Sequence, residues 1–284
     1  MTQPVSSLRF AVVGHPVAHS RSPFIHECFA QQTQRSLTYE RLLSPLDQFE
    51  ATVRTFFNEG GTGLNVTVPF KEQAFALADQ LSTRARLAGA VNTLWMNNGQ
   101  LMGCNTDGVG LLHDLTRLGY PPEGQRILLI GAGGAARGVM LPLLDAGCAH
   151  LHIVNRTVAK AQALYHVLEM HRPDTLHRVQ CTGLDSLAGP YDCVINATSA
   201  SLSQEALPLP AGIYAPGHAL AYDMLYGAKD TPFMAQARQQ GAHTVADGLG
   251  MLVGQAAESY RLWHGVMPDM TAPLLVLRRS LETA

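Results

Sequence analysis

Four polar clusters interrupt apolar runs before residue 110: "HSRSP" with Ser20 and Ser22, "NVTVPFK" with Asn65, Thr67 and Lys71, "AVNT" with Asn92, and "CNTDGVG" with Asp107. Each follows a stretch that reads as a strand, so each falls where open α/β sheets bind their ligands, at strand C-terminal ends. Together they supply hydroxyls, side-chain amides, one ammonium and one carboxylate. That inventory suits a small, anionic molecule carrying several hydroxyl groups. Singly, each residue is more often a helix cap or a turn former; only the joint placement points to a site.

A second constellation lies further along. "RILLIGAGGAARG" sets Gly131, Gly133 and Ala136 in the G-x-G-x-x-G/A spacing, after a strand and at the opening of a helix. Glycines there let the backbone turn tightly and let a pyrophosphate approach the free N–H groups of the helix start. The next strand ends at Asn155, 24 residues after Gly131, where an acid would hold the ribose 2′-hydroxyl of NAD. This chain has Asn155, Arg156 and Thr157 instead, with Lys160 one helical turn later. A guanidinium fork and a second cation suit a 2′-phosphate, which an acid would repel. The expected cofactor is therefore NADP. Solvated helix-end charges are the bland alternative, disfavoured because a helix N-terminus repels cations unless an anion intervenes.

The elements that must position these groups alternate. From Arg9 to about Met96, short apolar runs and helical patterns follow one another, the mark of β-α units and a largely parallel sheet. Pro23 after Ser22 reads as an N-cap and first helical position, and Gly60-Gly61 closes a helix that begins near Pro45. Asn98-Gly99 predicts a tight hairpin turn. A helix over about 107–118 and the break "GYPPEGQ" precede a second β-α series, with strands at 126–130, 151–154, 179–182, 193–196, 219–224 and 243–246. "TPFMAQARQQ" is a helix stopped by Gly241, and "GLGMLVGQAAESYRLWHG" carries a helical apolar stripe. With six strands already in the second series, this last helix and "TAPLLVLRRSLE" are expected to return to the first domain.

Composition removes other classes. A chain of 284 residues with 46% hydrophobic and 15% charged content can bury two cores, and a net charge of -2 without basic runs offers nothing to nucleic acid. No segment approaches a membrane span and the N-terminus lacks a signal pattern, so a cytoplasmic protein is expected. Cys28, Cys104, Cys148, Cys181 and Cys193 include no C-x-x-C pair and read as reduced packing residues. "NVT", "NRT" and "NAT" match the glycosylation pattern by accident of composition. His150 and His152 share a strand face without a third ligand nearby, which argues against zinc; they and His26 read as packing or surface residues.

With "HPVAHSRSP", "GLNVTVPFK", "AGAVNT", "GCNTDGVG", "GAGGAARG", "NRTVAK" and "DGLGMLVGQA" in register over nearly the whole length, the chain resembles the shikimate dehydrogenase family. The resemblance implies NADPH-dependent reduction of 3-dehydroshikimate to shikimate in aromatic amino-acid biosynthesis. It implies an α/β architecture of two domains: a substrate-binding catalytic domain with a mainly parallel sheet (1–107 plus 248–284) and an inserted Rossmann NADP-binding domain (108–247). It makes Ser20 and Ser22, assisted by Tyr226, the holders of a substrate carboxylate. Thr67, Asn92, Asp107 and Gln255 would read substrate hydroxyls, Asn65 fits the same pocket, and Lys71 and Asp107 match the catalytic pair. The cofactor set becomes Gly131, Ala132, Gly133, Gly134, Ala135, Asn155, Arg156, Thr157, Lys160, Thr198, Met224, Gly248 and Met251.

Two positions depart from the family pattern. The loop after "NATS" reads Ala200, Ser201, Leu202, Ser203 instead of a glycine-rich segment, and Lys160 stands where an arginine is usual, which loses a bidentate fork. The competing readings are a quinate/shikimate dehydrogenase that uses NAD, a folate-processing dehydrogenase of similar architecture, and a non-catalytic NADP-binding sensor. "HSRSP" disfavours the second, and retention of both Lys71 and Asp107 disfavours the third. The expected partner is a small-molecule substrate, with neither nucleic acid nor membrane, in a monomer or homodimer.

Overall fold

The computed structural model describes residues 8–202 and 206–283. The chain forms two compact units, Met1–Thr106 with Gln255–Leu275 and Asp107–Gly254 with Val276–Ala284.

In the first unit the strands are β1 (Leu8–Gly14), β2 (Leu37–Leu43), β3 (Gly61–Val66), β4 (Gln80–Leu81), β5 (Thr93–Asn97) and β6 (Gln100–Cys104). Its helices are α1 (Ser22–Gln32), α2 (Phe49–Asn58), α3 (Lys71–Leu77) and α4 (Thr83–Ala88). The sheet order is β2-β1-β3-β5-β6-β4. It is mainly parallel, as the sequence predicts, with one antiparallel strand: β1 pairs parallel with β2 and β3, and β4 with β6, while β5 runs antiparallel to β3 and β6. The cause is the expected hairpin, whose Asn98 and Gly99 take φ of 50° and 78° and so reverse the chain within two residues. Phe49, Val53 and Phe56, at helical spacing on α2, are buried against Ala11, Val13, Leu64 and Val66 of the sheet. Each such side chain removed from water contributes roughly 1.5–3 kcal/mol before entropy is counted.

Two local expectations shift. Helix α2 begins at Phe49, after a turn closed by Gln48 N–H to the Pro45 carbonyl. Ser22 is the first residue of α1, Arg21 takes the N-cap place, and no side chain caps that helix.

In the second unit α5 (Asp107–Arg117) leads into β7 (Arg126–Ile130), α6 (Gly134–Asp145), β8 (His150–Val154), α7 (Val158–His171), β9 (Val179–Thr182), β10 (Cys193–Asn196), β11 (Leu220–Asp223), α8 (Pro232–Gln239) and β12 (Thr244–Asp247). All five strand pairs are parallel, in the order β12-β11-β10-β7-β8-β9. This is the doubly wound arrangement, in which the strand order reverses beside the first strand. Strand β7 shows why the run "RILLI" is apolar throughout: Ile127 and Leu129 enter one core with Leu111 and Val139, and Leu128 and Ile130 enter another with Phe233 and Ile213.

Two helices close the chain, α9 (Leu249–His264) and α10 (Thr271–Glu282), and the return is shared between units. Met251 of α9 is in the core of Leu111 and Leu115, whereas Trp263 packs on Phe10 with tilted rings 4.8 Å apart and donates from Nε1 to the Leu94 carbonyl at 3.2 Å. From Val276 on, α10 groups with the second unit, where Arg278 donates to the Asp247 carboxylate at 2.9 Å and the Gly227 carbonyl at 3.2 Å.

Candidate active site

The first unit gathers its polar residues where strands end. Ser20 lies in the turn after β1, and the Arg41 guanidinium donates twice to its carbonyl, at 3.0 and 2.7 Å. Ser20 Oγ donates to Ser22 Oγ at 3.2 Å and accepts from the Ser22 N–H at 3.3 Å, so the two hydroxyls are held side by side. Thr67 follows β3 and is tied by its N–H to the Val13 carbonyl at 2.9 Å. Lys71 is the first residue of α3 and half-buried.

Asn65, the fifth residue of β3, is buried and fully oriented. Its Oδ1 accepts from the Tyr39 hydroxyl at 2.7 Å, and its Nδ2 donates to the Asn92 carbonyl at 3.1 Å and to Ser259 Oγ at 3.0 Å. Burial holds the Tyr39 phenol well above its ordinary value, so it stays a neutral donor. Behind it His26 stacks at 4.4 Å; burial, reinforced by His264, lowers that imidazole to about 3 and keeps it uncharged.

Asn92 lies between α4 and β5, also buried. The Thr106 N–H and the Thr93 hydroxyl both donate to its Oδ1, at 3.0 and 2.9 Å, while its Nδ2 lies 2.9 Å from Thr106 Oγ1 and 3.4 Å from Gln255 Oε1. Gln255 thereby joins Asn92 from α9. That helix is clamped to α4 by Glu258, only 4% exposed, which accepts from Arg84 at 2.8 Å and from Arg261 at 2.7 Å. Burial raises the Glu258 pKa, but the hydrogen bonds from Arg261 and Arg84 outweigh it and the net shift is downward.

The second unit builds its ligand face from backbone and exposed cations. Gly131, just past β7, has φ +114°, and an added Cβ would lie 3.1 Å from the Ala197 carbonyl oxygen. Gly133 and Gly134, at the cap and first residue of α6, have no atom within 4 Å of where a Cβ would point, and no side chain caps that helix. With Ala132 and Ala135 they leave an open approach to its N–H groups. A cavity of about 420 Å³ adjoins this turn, lined by Gly131, Asn155, Arg156 and Thr198 together with Leu184, Asp185, Leu207 and Pro208. Arg156 is exposed, as are Thr157, the N-cap of α7, and Lys160 in its first turn. Thr157 makes no capping bond with its hydroxyl, and its carbonyl accepts from Asn155 Nδ2 at 2.9 Å. The turn, the cavity and the cations fit a phosphorylated dinucleotide.

Buried Asp223, at the end of β11, ties the flanking loops. It accepts from Ser201 Oγ and Thr231 Oγ1, both at 2.6 Å, and from Asn196 Nδ2 at 3.2 Å, and Asn196 Oδ1 in turn accepts from the Thr198 N–H and hydroxyl at 3.0 and 2.7 Å. Ser201 thus anchors the loop that departs from a glycine-rich pattern; Ser203 lies outside the described residues. Met224 follows directly, and Gly248 presses on it: a Cβ at Gly248 would meet the Met224 carbonyl oxygen at 2.2 Å. Met251, one turn into α9, is buried. Asp107 opens α5, and Tyr226, 40% exposed, lines a separate cavity with Leu225, Lys229 and Asp230.

The sequence marks candidate ligand-facing groups but not their supports: Tyr39, Thr93, Thr106 and Ser259 in the first unit, Asn196 and Asp223 in the second. None carries a motif of its own. His152, expected as packing or surface, is buried between the Tyr191 and Thr182 hydroxyls at 2.5 and 2.8 Å. Among the described residues no helix is long and apolar enough to cross a membrane.

The doubly wound sheet, its glycine turn and the adjoining crevice beside Arg156 define a dinucleotide-binding protein with a second α/β unit that carries buried amides. Family models described as the shikimate dehydrogenase substrate binding domain, shikimate / quinate 5-dehydrogenase and the shikimate 5′-dehydrogenase C-terminal domain match residues 12–94, 117–204 and 248–272. The chain is 57% identical over 282 residues to the shikimate dehydrogenase (NADP(+)) of Bordetella avium, covering 99% of each. Among solved structures it resembles an Ael1 enzyme from Pseudomonas putida, at 47% identity and TM-score 0.89, covering 95% of this chain and 98% of that one. It also resembles the shikimate 5-dehydrogenase of Thermus thermophilus in complex with NADP(H) and shikimate, at 35% identity and TM-score 0.83, covering 96% and 100%. This chain belongs to the shikimate dehydrogenase family.

Proposed function

We propose that this protein catalyses the reversible, NADPH-dependent reduction of the ketone of 3-dehydroshikimate to shikimate. The observation that carries this reading is the buried set of amides and hydroxyls at the strand ends of the first unit, in a chain 57% identical throughout to an NADP-dependent shikimate dehydrogenase. A ring bearing several hydroxyls needs several polar groups in fixed orientation, and Asn92 and Gln255 provide them, each bonded to the other. Thr67 and Asp107 complete the hydroxyl readers. Ser20 and Ser22, already paired, offer adjacent donors for a carboxylate, with Tyr226 assisting.

When bound, the reduced nicotinamide supplies hydride to the carbonyl carbon. Negative charge then develops on the ketone oxygen. Lys71 stabilises that charge and delivers the proton in reduction, and accepts it in the reverse direction. Asp107 orients and electrostatically supports Lys71. In the second unit Gly131–Ala135 receive the pyrophosphate and Arg156, Thr157 and Lys160 the 2′-phosphate, while Asn155, Thr198, Met224, Gly248 and Met251 frame the remainder. The test is absorbance at the nicotinamide band with purified protein, shikimate and NADP: growth of the reduced band is the expected result, and a flat trace at substrate excess rejects the reading.

A further inference from the structure

We infer that Ser259 is a positioning residue that holds the buried network around the Asn65 and Asn92 amides in place for the substrate. The inference rests on the function proposed above and concerns a residue outside the ligand-facing set. Two backbone groups settle both amide orientations. The atom of Asn92 facing the Thr106 N–H must be oxygen, because a backbone N–H only donates. The atom of Asn65 facing the Asn92 carbonyl must be nitrogen, because a carbonyl only accepts.

Ser259, fully buried on α9, stands between them. Its Oγ lies 3.0 Å from Asn65 Nδ2, 2.8 Å from Thr93 Oγ1, 3.3 Å from Thr106 Oγ1 and 3.0 Å from its own helix carbonyl at Gln255. Two hydroxyl oxygens 2.8 Å apart need a proton between them. Ser259 has a single proton, shared between the Gln255 carbonyl and Thr93, and Thr93 has a single proton, shared between Asn92 Oδ1 and Ser259. The hydrogen bonds therefore form one connected network, from Tyr39 through Asn65, Ser259 and Thr93 to Asn92. Together with the Thr106 N–H, this network holds the Asn92 oxygen inward and its nitrogen toward Thr106 Oγ1 and Gln255. Every member sits in the first unit, and the Glu258 clamp on the preceding residue holds Ser259 in register.

The experiment measures KM and kcat for shikimate and KM for NADP in the wild type, Ser259→Ala, Thr93→Val, the double variant and Ser259→Thr. Losing one link leaves buried partners unsatisfied, which raises the KM for shikimate about 5- to 50-fold. The expected kcat stays within about threefold and the KM for NADP does not move, because the Asn92 amide serves substrate binding. The double variant does no more harm than the worse single, since both cut the same chain. Ser259→Thr restores the hydroxyl and recovers most of the loss. A shikimate KM within twofold of wild type in Ser259→Ala, multiplicative losses in the double variant, or an equal rise in the KM for NADP each overturns the assignment. Should Ser259→Ala not fold, judged by its melting curve, Thr93→Val and Ser259→Thr carry the same comparison. Absence of turnover in the wild type rejects the proposed reaction instead; the shikimate-induced rise in melting temperature then still reports on the network.

Discussion

The two units prepare for their ligands in opposite ways. In the first, the proposed recognition groups are side chains whose orientation is fixed by buried hydrogen bonds: Tyr39, Ser259, Thr93 and Thr106 each hold Asn65 or Asn92. In the second, the proposed contacts are bare backbone at Gly131, Gly133 and Gly134 and exposed cations at Arg156 and Lys160. A buried polar network is high-stakes, because one missing partner strands another. An exposed cation on an open face is modular: it contributes its own phosphate contact and little else. Perturbations in the first unit should thus spread to neighbours and ignore salt, and those in the second should stay local and weaken with ionic strength.

The largest expected effect lies at Lys71. Lys71→Ala should lower kcat by about 10² to 10⁴ and leave the KM for shikimate nearly intact, as loss of a proton donor acting in the transition state does. Steady-state kinetics in both directions checks this, and near-normal turnover would remove Lys71 from proton transfer.

Arg156→Ala should raise the KM for NADP about 10- to 100-fold, the value of a charge-assisted contact, with little change for NAD or for shikimate. The ratio between variant and wild type should shrink as salt rises. Lys160→Arg should act in the opposite direction and by only a few fold, by adding a fork where a point charge now stands. If Arg156→Ala impaired shikimate binding equally, the contrast between the units would collapse.

The smallest effect concerns acid stability. His26 and His264 are neutral in the first unit, lowered to about 3 and about 4, chiefly by burial, from an ordinary value of 6.5. The unfolded chain binds protons there that the folded chain refuses. Their contribution is intact above about pH 6.5 and is lost progressively as pH falls toward those lowered values. His26→Phe keeps a ring against Tyr39 and replaces a buried Nε2 that has no hydrogen-bond partner among the described residues. Its melting temperature should therefore fall less steeply between pH 7 and 4.5 than that of the wild type. Parallel curves would assign the acid sensitivity elsewhere, for instance to His152 of the second unit, also lowered to about 4 by burial.

The same contrast explains what could be read from sequence. The cofactor half is written locally: Gly131, Gly133 and the "NRTVAK" run each announce themselves within a few residues, and the β-α order of the second sheet follows from apolar runs such as "RILLI". The candidate site residues of the first unit were legible as polar interruptions of strands. Their supports were not, because Tyr39 meets Asn65 across 26 positions and Ser259 meets it across 194, distances over which spacing carries no signal. The antiparallel pairing of β3 with β5 was hidden for a related reason, since the hairpin is local but its place in the sheet is decided by packing. Helix α9 showed an unbroken apolar stripe, and nothing in that stripe tells which turns face which core.

The Gly248 α-carbon rests against the carbonyl of Met224, so the chain there tolerates no substituent of any size, whereas Gly133 and Gly134 border empty space. In a population of variants selected only for folding, position 248 would stay fixed while 133 and 134 drift; selection for turnover would freeze all three. Identical letters in one sequence thus record two different pressures, one from the polypeptide itself and one from the molecule it must admit.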